Sequence, residues 1–215
     1  MSKLVLFVGD SITDCIRKRE EDASLGYGYA CMAAGQIGCE YPVDYRFLNR
    51  GISGNTSVDV YARLEKDVLQ LKPDYISFLM GINDLWYTAD GETHGISVEK
   101  FERVYDMVIS EVLEALPNVK IMLLAPFVLE GSATCDTEEV PNRHQVLFEE
   151  TPKREAVVKR IAEKYGLPFV SLQEAFDKAR KTAPDSHWIK DGIHPTAAGH
   201  CLIKNEWIKA FETIR

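Results

Sequence analysis

Leu4-Val5-Leu6-Phe7-Val8 is an unbroken apolar run that stops abruptly in the polar turn Gly9-Asp10-Ser11-Ile12. A strand covered on one face alternates polar and apolar residues, so a continuous run predicts a strand covered by helices on both faces, as in a parallel sheet. Residues 75–80, 121–125 and 167–170 read the same way. Residues 43–48 alternate instead, which predicts an edge strand with one face partly wet. Between the runs lie residues at helical spacing: Tyr61, Leu64, Val68 and Leu71, then Phe101, Val104, Val108 and Val112. Later helices are predicted over residues 151–165, with Thr151 as cap and Pro152 at the first helical position, and from Thr196 to the C-terminus. Strand alternating with helix five times predicts an α/β fold: a three-layer α/β/α sandwich on a five-stranded parallel sheet with right-handed crossovers.

Composition narrows the class. The 215 residues contain no linker or low-complexity tract, so residues 1–215 are read as a single domain. With 46% hydrophobic residues, the chain can build a core without a metal or a disulfide framework. Its 25 basic and 33 acidic residues give a net charge of -8 with no basic stripe, which argues against nucleic acid or an anionic membrane as partner. Cys15, Cys31, Cys39, Cys135 and Cys201 are odd in number and include no Cys-x-x-Cys pair, so they read as reduced, mostly buried thiols. The apolar run at residues 4–8 is too short for a signal-peptide core or a membrane span. A cytoplasmic location is the expectation.

The chemistry sits in four polar turns, each following an apolar run or the edge strand: Gly9-Asp10-Ser11-Ile12, Gly51-Ile52-Ser53-Gly54-Asn55, Gly81-Ile82-Asn83-Asp84 and Asp191-Gly192-Ile193-His194-Pro195. In an open parallel sheet, ligands bind outside the carboxyl ends of the strands where strand order reverses. With order 2-1-3-4-5, Ser11 and Asn83 would flank that crevice and the Gly54 loop would border it. Taken singly, each residue has a plainer role: Ser11 as helix cap, Gly54 and Asn83 as turn formers, His194 as a capping histidine. Together they supply a nucleophile (Ser11), a base (His194), a carboxylate three residues away to orient it (Asp191), and three oxyanion donors, the backbone N–H groups of Ser11 and Gly54 and the Asn83 amide. Asp10 and Asp84 are expected to tie down the turns that carry Ser11 and Asn83.

Several alternatives are weaker. His94, His144, His187 and His200 lack such a set of partners and show no His-x-x-x-His spacing, so no catalytic metal and no cofactor are predicted. Residues 51–55 nearly match the Gly-x-Ser-x-Gly elbow, but Asn55 holds the fifth position, so Ser53 is not read as the nucleophile. Trp86, Tyr87, Phe127 and Trp188 are candidate substrate-binding aromatics. Residues 131–143 are expected to form a mobile rim.

With these turns in order, the chain resembles the SGNH hydrolase family, the GDSL esterases and lipases, nearly end to end. The resemblance implies a flavodoxin-like sandwich and matches Ser11 to the nucleophile, Gly54 and Asn83 to the oxyanion hole, and Asp191 and His194 to the rest of the triad. Residues 9–14, 51–56, 81–84 with Trp86, Pro126-Phe127 with Glu130-Gly131, and His194-Pro195 with Ala198-Gly199-His200 look most like intracellular carbohydrate acetyl esterases, including acetylxylan esterases. Ile16 departs from that subgroup's usual glycine. The implied activity is hydrolysis of short-chain esters of small-molecule carbohydrates, with assembly into dimers or larger rings implied as well. A thioesterase or lysophospholipase of the same fold, and a non-catalytic carbohydrate-binding protein, stand as rivals.

Overall fold

Alternation hidden inside the first apolar run decides the layering. In the computed structural model, which describes residues 2–215, Lys3–Gly9 form strand β1. Val5 and Phe7 enter one hydrophobic cluster, while Leu6 and Val8 enter another. Both faces of the strand are therefore buried, which is why no polar residue interrupts it. Strands β2 (Tyr45–Gly51), β3 (Tyr75–Leu79), β4 (Lys120–Leu124) and β5 (Phe169–Val170) complete the sheet. All neighbours are parallel, and the order is β2-β1-β3-β4-β5. The alternating segment is an edge strand, as expected, although it starts at Tyr45; Val43 lies outside it in a turn, 89% exposed.

Ten α-helices surround this sheet among the described residues. The first five are α1 (Ser11–Asp14), α2 (Tyr29–Glu40), α3 (Ser57–Ala62), α4 (Leu64–Asp67) and α5 (Ile82–Ala89). The others are α6 (Val98–Ala115), α7 (Arg143–Tyr165), α8 (Leu172–Ala179), α9 (Asp185–Trp188) and α10 (Ala197–Glu212). Val60 of α3, Phe101 and Val108 of α6, and Val157 and Ile161 of α7 cover Leu6 and Val8 on one face. Tyr29 and Ala33 of α2, Phe176 of α8, and Ile203 and Trp207 of α10 cover Val5 and Phe7 on the other. Each such fully buried aliphatic or phenyl side chain contributes about 1.5–3 kcal/mol relative to exposure, so these contacts hold the strand ends that carry the polar turns.

Two helix expectations need correction. The helix expected at residues 151–165 begins eight residues earlier, and Pro152 lies inside α7. Thr151 does not cap: its hydroxyl donates to the Leu147 carbonyl at 2.7 Å, within the helix. Buried Leu147, Val157, Val158 and Ile161 line one side of the whole helix, and their packing outweighs the backbone hydrogen bond that Pro152 cannot make. The second correction concerns residues 61–71, which form α3, α4 and a 3-10 turn at Leu69–Leu71 in place of one helix. Arg63 sits at the first break, drawn away by hydrogen bonds to the strand ends.

Candidate active site

Ser11 opens α1 directly after β1, and the Asp10 carboxylate caps that turn by accepting the Ile12 N–H at 3.0 Å. Asp191 and His194 share one turn, closed at its base by a bridge between Ile189 and Pro195 and by the Lys190 N–H donating to the His194 carbonyl at 2.8 Å. The Ser11 hydroxyl lies 3.0 Å from His194 Nε2, and His194 Nδ1 lies 2.8 Å from Asp191 Oδ2. Asp191 Oδ1 accepts the backbone N–H groups of Ile193 and His194 at 2.9 and 2.8 Å. One carboxylate thus fixes the turn and the ring together.

The electrostatics assign the proton positions. Partial burial works to raise the Asp191 carboxyl, but the His194 ring and the two backbone N–H groups outweigh it and hold it at about 2. An ionised carboxylate only accepts, so neutral His194 carries its proton on Nδ1 and leaves Nε2 as acceptor for Ser11. The Asp191 hydrogen bond raises His194 above the ordinary imidazole value, against the opposing effect of burial. His200 differs: burial and the nearby Lys190 charge lower it to about 4, and its Nδ1 accepts the Tyr29 N–H. His144 and His94 do have carboxylate partners, Glu130 and Glu92, but no serine hydroxyl joins either pair among the described residues.

Ser11, Ser53, Gly54, Asn83, Trp86, Tyr87, Ala133, Ile193 and His194 line a crevice of about 390 Å³. The Asn83 amide donates one hydrogen to the Asn55 carbonyl at 3.0 Å, and an amide NH2 has a second to offer the crevice. The backbone N–H groups of Ser11 and Gly54 have no protein acceptor among the described residues. Gly54 adopts φ +83°, a conformation that side chains other than glycine rarely tolerate.

Structural ties hold these turns in register. Asp14 accepts the backbone and side-chain donors of Ser53 at 3.0 and 3.2 Å, joining the first turn to the second and accounting for the serine that mimics an elbow. Asp84 accepts the backbone and hydroxyl of Ser57, so it secures the loop after Gly54 rather than its own turn. The Asn49 amide donates to the Thr13 carbonyl at 2.6 Å, and Arg63 donates to Gly9, Arg50 and Asn55. Neither Asn49 nor Arg63 carries a local motif; their polar burial was the only signal, and it is a property of the folded chain.

The start of the 131–143 segment is a clip. Ala133 N–H donates to the Asp191 carbonyl at 2.7 Å, Leu129 N–H donates to the Gly192 carbonyl at 2.9 Å, and Thr134 is fully buried. Gly131 allows this approach, since a Cβ there would stand 2.2 Å from the Asp191 carbonyl carbon. Two substrate-binding expectations fail. Phe127 is fully buried, its ring 4.5 Å from that of Phe176 in the core, because the chain after β4 turns its side chain beneath the site. Trp188 does not line the crevice either: its indole donates to the Ala183 carbonyl and it packs against the core under α10. Trp86 and Tyr87 do line it.

A hydroxyl, an imidazole and an ionised carboxylate in series, set at the carboxyl edge of a parallel sheet of order 2-1-3-4-5, define the class of α/β serine hydrolases. Residues 7–202 match the GDSL-like lipase/acylhydrolase family, and the chain belongs to that family, a carboxylic ester hydrolase. It is 38% identical to an acetylxylan esterase from Geobacillus stearothermophilus, over 98% of this chain and 95% of that one. Among solved structures, a putative GDSL-like lipase from Parabacteroides merdae superposes with a TM-score of 0.88 at 33% identity, covering 99% of this chain and 97% of that one. A catalytic mutant of the Geobacillus esterase in which a histidine is changed to alanine gives 0.83 at 33% identity, covering 98% and 95%. Companion mutants, also described as catalytic, change an aspartate and a serine of that enzyme to alanine.

Proposed function

We propose that this chain hydrolyses short-chain esters of carbohydrates, with acetyl as the acyl group, through a covalent intermediate on Ser11. The observation that carries the reading is the continuous run from Ser11 Oγ to His194 Nε2 at 3.0 Å and from His194 Nδ1 to Asp191 Oδ2 at 2.8 Å. His194 takes the hydroxyl proton as Oγ attacks the ester carbonyl, and Asp191 stabilises the resulting imidazolium. The negative charge on the former carbonyl oxygen rests on the N–H groups of Ser11 and Gly54 and on the Asn83 amide. His194 then gives the proton to the departing alcohol. Water, deprotonated by the same ring, attacks the acyl-Ser11 carbonyl and releases the acid, restoring the hydroxyl.

The acetyl assignment is supported by the bulky Trp86 and Tyr87, which line the crevice from the same helix as Asn83, and by the carbohydrate acetyl ester in the name of the 38%-identical relative. We also infer a small-molecule substrate rather than nucleic acid or membrane lipid, in keeping with the net charge of -8. The five thiols are unpaired, and four of them are exposed where burial was expected, because they lie on outward helix faces and loops; such thiols favour the reducing cytoplasm. Residues 1–215 are taken as one domain, since both core clusters share one sheet; homo-oligomeric assembly rests on the family resemblance.

The test is hydrolysis of 4-nitrophenyl acetate and of acetylated xylo-oligosaccharides by the wild type and by Ser11→Ala. Only the background of about 10³–10⁴ over water should survive in the variant. Near-normal turnover by Ser11→Ala would overturn the reading, and a preference for octanoyl over acetyl esters would transfer it to the thioesterase and lysophospholipase class.

A further inference from the structure

Gly54 is the least constrained residue type at the most demanding position of the site. Its N–H must point at one place in the crevice, yet a glycine at φ +83° has wide backbone freedom of its own. The chain limits that freedom from both sides. On the N-terminal side, Asp14 grips the backbone and hydroxyl of Ser53 at 3.0 and 3.2 Å. On the C-terminal side, the Tyr87 hydroxyl donates to the Gly54 carbonyl at 3.1 Å, and the Asn83 amide donates to the next carbonyl, that of Asn55, at 3.0 Å. Asn83 and Tyr87 are four residues apart on α5, so one face of one helix reaches two successive carbonyls of the loop.

We propose that Tyr87 is a positioning residue for the oxyanion hole: its hydroxyl, by holding the Gly54 carbonyl, keeps the Gly54 N–H directed at the charge that develops on the substrate. The inference rests on the esterase reading above and deepens it. The single Tyr87 O–H hydrogen is committed to the Gly54 carbonyl, so as a donor the residue acts through the loop and not on the developing oxyanion. The fit is close: a Cβ on Gly54 would stand 3.1 Å from the Tyr87 oxygen, so a larger residue at 54 would disturb the grip as well as the backbone. The ring is held independently by contact with the tilted ring of His94, with centroids 3.9 Å apart, so removal of the oxygen alone leaves the side chain in place.

Tyr87→Phe isolates the hydroxyl. Turnover of 4-nitrophenyl acetate is measured per active site, counted by end-point titration with a fluorophosphonate, so that misfolded protein does not enter the rate. Complete loss of one donor costs about 10²–10³ in kcat, and a donor that is present but loosely aimed should cost less, about tenfold, with KM within about twofold of wild type. In a Gly54→Ala background, where the N–H is already displaced, adding Tyr87→Phe should cost nothing further. A wild-type kcat per site in Tyr87→Phe overturns the inference, as do a raised KM at unchanged kcat or losses that multiply in the double variant. Turnover that depends on Ser11 but ignores Tyr87→Phe removes this inference alone; wild-type turnover independent of Ser11 removes the esterase reading and this inference together.

Discussion

Replacing Asp191 by Asn separates the two tasks of that residue. The amide has the same shape, and its oxygen can keep the backbone N–H groups of Ile193 and His194 that Oδ1 accepts at 2.9 and 2.8 Å, so the turn retains its form. The amide nitrogen then occupies the place of Oδ2, 2.8 Å from His194 Nδ1. As a donor it obliges the ring to present a lone pair there, which moves the ring proton to Nε2, 3.0 Å from the Ser11 oxygen. A nitrogen that carries hydrogen cannot take the serine proton. The expected loss is that of a wrong-tautomer triad, about 10⁴ in kcat or about 5.5 kcal/mol of transition-state stabilisation. The assay is 4-nitrophenyl acetate hydrolysis from acid to mildly alkaline pH, with a thermal melt as control. His194 must be neutral to act, and Asp191 raises it above the ordinary 6.5, so wild-type kcat/KM falls as pH drops through that raised value. Without the carboxylate, the acid limb of the variant moves to lower pH. A variant with an unchanged melt and kcat within tenfold of wild type would refute the proposed relay.

Two other substitutions probe the walls of the crevice. Trp86→Ala should raise the rate on butyryl and octanoyl esters relative to acetyl by at least about tenfold, the discrimination expected from a few methylenes against a closed wall; an unchanged acyl profile would show that Trp86 does not limit chain length. Gly131→Ala places a Cβ 2.2 Å from the Asp191 carbonyl carbon and the Gly192 nitrogen. Such overpacking costs about 1–3 kcal/mol and should lower both melting temperature and kcat, so wild-type values for both would count against the clip.

The strands and the residues at their ends were legible in the sequence for a common reason. β1 is buried on both faces, which produces an apolar run, and it ends where the backbone reaches the crevice, which produces a polar turn. Ser11, Gly54 and Asn83 stand in such short local patterns after β1, β2 and β3, whereas the turn of Asp191 and His194, expected after an apolar run as well, follows helix α9 and was legible only from its own residues. The first turns of α7 were illegible because Thr151-Pro152 imitates a helix start, and only the buried positions of Leu147 and Val157 reveal continuity. Phe127 and Trp188 misled for a different reason: an aromatic residue close to a motif in sequence has no fixed direction until the surrounding helices pack, and these two are drawn into or against the core beneath α8 and α10. The docking of Gly131 against residues 191–192 spans some sixty positions and leaves no periodic trace.

Acid and base ride on a single four-residue span, so their mutual alignment is inherited from local backbone alone. Tertiary packing has only one gap left to police, that between this span and a serine 183 positions earlier. Connections that contact neither partner are therefore free to lengthen, shorten or change their chemistry without detuning proton transfer, which gives one scaffold latitude to acquire new leaving-group preferences by altering its perimeter.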